Sequence, residues 1–145
     1  MIGGVAVQPM WVSSVTVGSP NPRELAVFYQ RLLSWEVSAV EGPGPGEPAE
    51  AGWAQLRAPA GLPGLTTINI EHERQFARPA WPSEPGRQHI TAHLDLPVAD
   101  LDAAQARALE AGAVLAPVQP QDGVRVMLDP DGHPFCLFVA ADQAT

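Results

Sequence analysis

A β-strand followed at once by a capped helix occurs twice in this chain, and the second copy repeats the first at an offset of 79 residues. In the first copy, Val12-Ser13-Ser14-Val15-Thr16-Val17 is rich in β-branched residues and reads as a strand. Asn21 then stands as a helix N-cap, with Pro22 at the first helical position and Glu24 closing a capping box. Leu25, Phe28, Tyr29 and Leu32 follow at helical spacing on one face. In the second copy, Thr91–Leu96 alternates polar residues (Thr91, His93, Asp95) with apolar ones (Ala92, Leu94, Leu96), the mark of a half-buried strand. Asp100 caps the next helix, Leu101, Ala104, Ala108 and Ala111 share one side of it, and Gly112 stops it. The offset lays Ser14 on His93 and the cap Asn21 on Asp100. Such a chain is an internal duplication, and neither half covers both faces of its own sheet.

The remaining elements complete each copy. Trp35–Val40, Trp53–Arg57 and Thr66–Glu71 read as strands after the first helix, with a Pro/Gly turn at Glu41–Pro48 that excludes regular structure. Val114–Pro117, Val124–Leu128 and Phe135–Val139 follow the second, the last two joined by a tight turn at Asp129-Pro130-Asp131-Gly132. Between the copies, His72–Gln88 is broken by Pro79, Pro82 and Pro85 yet carries Phe76 and Trp81, as binding-site lids do. The expectation is an α+β fold: one domain over residues 12–139, made of βαβββ modules at 12–71 and 89–139, joined by a lid-like linker at 72–88. Met1–Met10 carries no pattern and is expected to be a frayed or edge-lying leader.

Composition removes several classes of function. No apolar run approaches the roughly 18–20 residues that span a bilayer. Met1–Val5 lacks the basic and apolar regions of an export signal, so a cytoplasmic location is expected. The single Cys136 leaves no internal disulfide to form. Net charge is −8 and every one of the 8 cations is Arg, so neither nucleic acid nor an anionic membrane is an expected partner. The absence of Lys beside abundant Ala, Pro, Gly and Arg fits a GC-rich bacterial source.

Period-two sorting of four strands gives apolar faces at Val15 and Val17, Ile68 and Ile70, Leu94 and Leu96, and Phe135, Leu137 and Val139, expected to lie under the helices. The opposite faces carry Ser14 and Thr16, Thr67, Asn69 and Glu71, Thr91, His93 and Asp95, and Cys136 and Phe138. These are either the solvent side of one-sided sheets or, if the half-sheets curl toward each other, the wall of a pocket with Trp53 and Trp81 nearby. His93 and Asp95 share a strand face and form the candidate catalytic pair, an oriented imidazole–carboxylate for general base work; the plainer reading is a hydrogen-bonded wall residue. Cys136 needs a nearby base to act as nucleophile and otherwise packs as an inert thiol. His133 braces its turn, His72 and His89 flank the linker, and Met127 and Trp53 are wall or core.

The tandem modules, the helix motif NPRELAVFYQRLLSWEV, the segment HLDLPVADLDAAQARALEAGA and the closing DPDGHPFCLF together resemble the vicinal oxygen chelate superfamily, and within it the glyoxalase-like and bleomycin-resistance proteins. The resemblance covers about Val12 to Val139 and implies the glyoxalase/bleomycin resistance/dihydroxybiphenyl dioxygenase fold, a curled mixed sheet around a cleft. It fixes a scaffold more firmly than a reaction. Metal-dependent members place four ligands, usually His and Glu, at points that fall here on Ser14, Asn69, His93 and Cys136, of which only His93 is the usual type. The resemblance therefore implies no metal and no cofactor. It implies a homodimeric, metal-independent small-molecule binder, holding an aromatic or amphipathic guest such as an antibiotic. The expected ligand-binding residues are Ser14, Trp53, Arg57, Asn69, Trp81, Thr91, His93, Asp95, Cys136 and Phe138, with Phe76 adding stacking area and Arg57 or Arg125 pairing an anionic group. The alternatives are a lyase, isomerase or dioxygenase, using a metal at His93 and Cys136 or a metal-free acid–base step on His93–Asp95, and a non-catalytic partner domain.

Overall fold

The computed structural model describes residue 4 and residues 6–140. The expectations for Met1–Met10 therefore fall partly outside the described residues. The element order is β1 (Ser14–Ser19), α1 (Pro22–Leu33), β2 (Glu36–Glu41), β3 (Trp53–Arg57), β4 (Thr67–His72), β5 (Leu94–Val98), α2 (Leu101–Ala111), β6 (Val114–Leu115), β7 (Val124–Leu128) and β8 (Pro134–Val139). Two four-stranded sheets result, ordered β1-β4-β3-β2 and β5-β8-β7-β6. Each is mixed: β1 runs parallel to β4 and β5 parallel to β8, while the other pairs are antiparallel. The fold is α+β, and neither sheet closes into a barrel.

Both helices begin where their caps demand. The Asn21 side chain accepts from the Glu24 N–H and that of Asp100 from the Ala103 N–H, each satisfying a donor that the first helical turn leaves unpaired. Helix α1 ends at Ser34, in the left-handed region, and α2 at Gly112. The turn before β3 needs Gly52, whose φ is +115° and where a Cβ would lie 2.1 Å from the Glu41 carbonyl oxygen.

Strand limits differ from the sequence reading where pairing decides them. The first strand starts at Ser14, in register with Thr67, and Val12 is 73% exposed. It runs on through Gly18 and Ser19 because β4 continues beside it to His72. The strand expected at Thr91–Leu96 begins only at Leu94, opposite Phe135. Further back, the register would set His93, Ala92 and Thr91 opposite Pro134, which has no N–H to give, and opposite His133 and Gly132 of the preceding turn, so the ladder stops at Leu94. The strand then extends through Pro97, tolerated because β5 is a sheet edge. The strand expected over Val114–Pro117 keeps only its first two residues, and Pro117 has no N–H to continue it.

One core joins the modules. Leu25, Phe28, Tyr29 and Leu32 of α1 pack with Leu56, Ile68 and Ile70 of the first sheet and with Ala108, Met127, Phe135 and Leu137 of the second. The Phe28 and Phe135 rings meet across the two halves at 6.1 Å. The expected apolar faces supply this core, except that Val139 is 37% exposed and Val15, Val17, Leu94 and Leu96 are half-buried against it. On the other faces, Thr16, His93, Asp95 and Arg57 are exposed and Asn69 and Cys136 half-buried, while Thr67 is buried.

Candidate functional site

A cavity of about 560 Å³ lies between β1 and the segment that leads into β5. One wall is Val15–Gly18, the free edge of β1, whose other edge pairs with β4. The facing wall is Gln88–Leu94, and the rest comes from the connecting segment (Glu73, Gln75, Phe76, Ala77, Pro79) and from Tyr29, His133 and Pro134. Three of the four histidines, His89, His93 and His133, reach this one space. The lining thus combines apolar surface with a few polar groups, as small-molecule sites do.

The connecting segment is held against the body. Its Glu73 N–H donates to the Ser19 carbonyl and Arg78 donates to the Pro130 carbonyl at 3.0 Å, while within the segment the Ala80 N–H donates to the Gln88 carbonyl at 2.7 Å. The Phe76 ring lies 5.4 Å from the His133 imidazole. A position is thereby fixed for a loop that sequence alone shows only as Pro-rich.

Below the cavity, a polar cluster ties the modules together. Asp129 is 1% exposed and accepts from the Tyr29 hydroxyl at 2.7 Å, from the N–H groups of Asp131 and His133, and from His133 Nδ1 at 2.8 Å. His133 Nε2 donates to the Gly18 carbonyl at 2.9 Å, and the Ser19 hydroxyl donates to Asp131 at 2.6 Å. The turn fits because Gly132, at φ +91°, lets the Arg78 side chain pass where a Cβ would stand. Burial alone would lower the His133 pKa, but the hydrogen bond and charge of Asp129, the Gly18 carbonyl and Asp131 outweigh it, so the imidazolium is favoured. Burial first, then the Asp129 charge, raises the Tyr29 hydroxyl well above its usual range. Sequence reading places His133 as a brace of its own turn; the bond to Gly18 of the other module is the part it misses.

Of the residues expected to bind ligand, Thr91 and His93 line the cavity. On the second module, His93 Nδ1 lies 3.0 Å from Asp95 Oδ1, and His93, Asp95 and Cys136 bring one donor atom each within 4.8 Å of the others. Phe138 stands two residues beyond Cys136 on β8. On the first module, Asn69 accepts from Gln55 at 2.9 Å, and Gln55 in turn accepts from Ser38 and Arg57. Ser14 pairs with Thr67, and Trp53 with Glu71 and Glu41, on strands of the same sheet. These first-module residues, with Trp81, Asp95, Cys136 and Phe138, lie outside the cavity lining. Phe76, His89 and His133 line it; the costly aromatic in a Pro-rich loop was the available signal for Phe76.

Burial, then the Asp95 charge and hydrogen bond, push the Cys136 thiol up from its usual pKa. Alkylation of this single cysteine by iodoacetamide near neutral pH is accordingly expected to run several-fold slower than that of an unstructured thiol. It should speed up as pH rises beyond the ordinary thiol range; a rate matching free cysteine at pH 7 would contradict the described geometry.

A doubled βαβββ unit with a cavity between its halves defines a small-ligand scaffold. The family model described as the glyoxalase-like domain matches residues 14–138, and the chain belongs to that family, within the vicinal oxygen chelate superfamily. Among solved structures, the glyoxalase family protein of Enterococcus faecalis is similar over 88% of this chain and 96% of its own, at 23% identity and a TM-score of 0.62. A mutant of the fosfomycin resistance protein FosX of Listeria monocytogenes, complexed with manganese(II) and a dihydroxypropylphosphonic acid, is similar over 97% and 95%, at 18% identity and 0.62. The glyoxylase/bleomycin resistance protein/dioxygenase domain from Frankia sp. EAN1pec is similar over 92% and 99%, at 21% identity and 0.61. At these identities the likeness carries the fold alone. No curated protein matches the chain.

The positions that the resemblance aligns with a metal centre do not fit a hard divalent cation. Such ions take oxygen ligands, mainly carboxylates. Here Ser14 offers a neutral hydroxyl, the Asn69 amide oxygen is engaged by Gln55, and Cys136 offers sulfur. Among the described residues, the group of three or more His, Cys, Asp or Glu side chains close enough to share an ion lies within the second module only.

Proposed function

We propose that this chain binds a small aromatic or amphipathic molecule in the cavity between its modules, without a hard metal ion, and so sequesters it; antibiotics are the leading candidates. The observation that carries this reading is the 560 Å³ cavity with its stacking ring at Phe76, its polar groups at Thr91, His93 and His133, and its unpaired strand edge at Val15–Gly18. Resistance proteins stand among the similar structures, which is why antibiotics come first in the panel. Homodimeric assembly belongs to the same reading. The apolar leader residues Val7, Met10, Trp11 and Val12 are each more than 70% exposed on the single chain, which favours it. Light scattering at two concentrations checks it.

The test is calorimetry of the chelator-treated protein against a panel of planar natural products. Thr91→Trp, which fills the exposed mouth, is expected to weaken any hit by about tenfold or more, equivalent to about 1.4 kcal/mol. A panel with no binder, or a binder indifferent to both Thr91→Trp and Phe76→Ala, would refute the reading.

A second reading rests on the His93–Asp95 pair at the cavity edge. There the imidazole, oriented by the carboxylate, takes a proton from a bound substrate in a lyase or isomerase reaction. That reading requires a product that disappears in His93→Ala while binding persists.

A further inference from the structure

We propose that Thr16 and Asn69 form a polar subsite that takes a neutral carbonyl oxygen of the guest, and that Arg57, two strands away, sets its polarity through Gln55. This rests on the sequestration reading and names the guest chemistry within it. Strand pairing lines up one row of side chains across the first sheet: Gln55 of β3 stands opposite Asn69 of β4, and Asn69 opposite Thr16 of β1. At the outer end, Arg57 and Ser38 donate to Gln55 Oε1 at 3.4 and 3.0 Å. A guanidinium only donates, so the Gln55 oxygen faces it and the Gln55 amide NH2 faces inward. That NH2 donates to Asn69 Oδ1 at 2.9 Å. The Asn69 NH2 is thereby left as the free end of the row, beside Thr16.

Among the described residues, neither the Asn69 NH2 nor the Thr16 hydroxyl donates to a protein acceptor, and neither is sealed from solvent. Two unused donors thus stand on adjacent strands, whose spacing is about 4.8 Å, and Thr16 lines the cavity. One carbonyl oxygen has two lone pairs and accepts from both. A guest N–H at the same place finds only the Thr16 oxygen to accept it and is opposed by the Asn69 NH2. Charge decides between a neutral carbonyl and a carboxylate. The cavity lining holds Glu73 and no Arg or Lys, the His133 imidazolium is met by Asp129, and Arg57 has Glu36 opposite it on β2. A carboxylate meets the Glu73 charge in this space, whereas an amide, ester or ketone does not.

Calorimetry of the full-length protein with 9-fluorenone, fluorene and fluorene-9-carboxylate tests this, since the three share a ring system and differ in the oxygen group. Fluorenone should bind about fivefold tighter than fluorene, the range of one neutral hydrogen bond, and tighter than the carboxylate. Thr16→Val and Asn69→Asp should each bring the fluorenone-to-fluorene ratio near one. Arg57→Glu, which accepts where the guanidinium donates, should turn both amides over and lower the ratio, whereas Arg57→Lys should keep it. Thr16 and Arg57 are exposed and Asn69 half-buried, so these variants keep the fold, which circular dichroism verifies. In nitrogen-15-labelled protein, N-methylacetamide, which has no ring to stack, should shift the Asn69 side-chain NH2 resonances saturably. Tighter binding of the carboxylate, or a ratio indifferent to Asn69→Asp, would overturn the inference. Fluorene binding that Phe76→Ala weakens, without a preference for fluorenone, sinks this inference and leaves sequestration standing. The saturable amide shift with no aromatic binder does the reverse, and the absence of both sinks the two together.

Discussion

Asp129→Ala is expected to destabilise the protein by about 3–5 kcal/mol, because it leaves several buried partners of one carboxylate without an acceptor. The Tyr29 hydroxyl, two backbone N–H groups and the His133 imidazole all turn on that side chain, which is 1% exposed. Urea unfolding followed by fluorescence measures it, and a loss under about 1 kcal/mol would show that solvent reaches the cluster. The same cluster sets a pH dependence. The His133 pKa is raised in the folded state, so its contribution is fully present below the unfolded value near 6.5 and is lost as pH rises through the higher folded value. Asp131 is raised too, chiefly by burial, and so gives up stability as it ionises at the acid end. Tyr29 adds a further loss above pH 10. Stability should therefore decline from neutral toward alkaline pH, and His133→Gln should flatten the neutral part of that decline. An unchanged slope in this variant would assign the dependence elsewhere.

Phe135→Ala should cost about 3–5 kcal/mol, and the loss should appear in one transition for the whole chain. The ring is 1% exposed on β8 of the second module, yet it packs with Phe28 of the first. With a single core, both halves melt together; two separated transitions, one at the wild-type midpoint, would mean that the modules fold independently.

How much of this was legible in the sequence follows from how local each signal is. The caps Asn21 and Asp100 and the stop at Gly112 act within a few residues, and the helices sit where those residues place them. Trp53–Arg57 and Val124–Leu128 are bounded by turns on both sides and keep their expected limits to the residue. Strand starts were less legible because they depend on a partner far along the chain: Thr91–His93 alternates correctly, but the register sets it opposite the end of a turn and Pro134. Glycine and serine hid the end of β1, although Ser19 is fully buried and holds Asp131. The His93–Asp95 neighbourhood follows from two-residue spacing on one strand face, and the register of β8 adds Cys136. The cavity itself was not legible. It forms between two strand edges that no pattern pairs, and its furnishing by Phe76 and His89 depends on how the Pro-rich segment lies against the turn at Asp129.

That segment has a consequence for the diversification of such chains. Glu73, Gln75, Phe76, Ala77, Pro79 and Gln88–His93 supply most of the cavity lining, and none belongs to the shared apolar core. Guest preference and thermal endurance are therefore written in different stretches of the polypeptide. A lineage can trade one cargo for another by rewriting some twenty consecutive codons, while the packed framework beneath stays as it was.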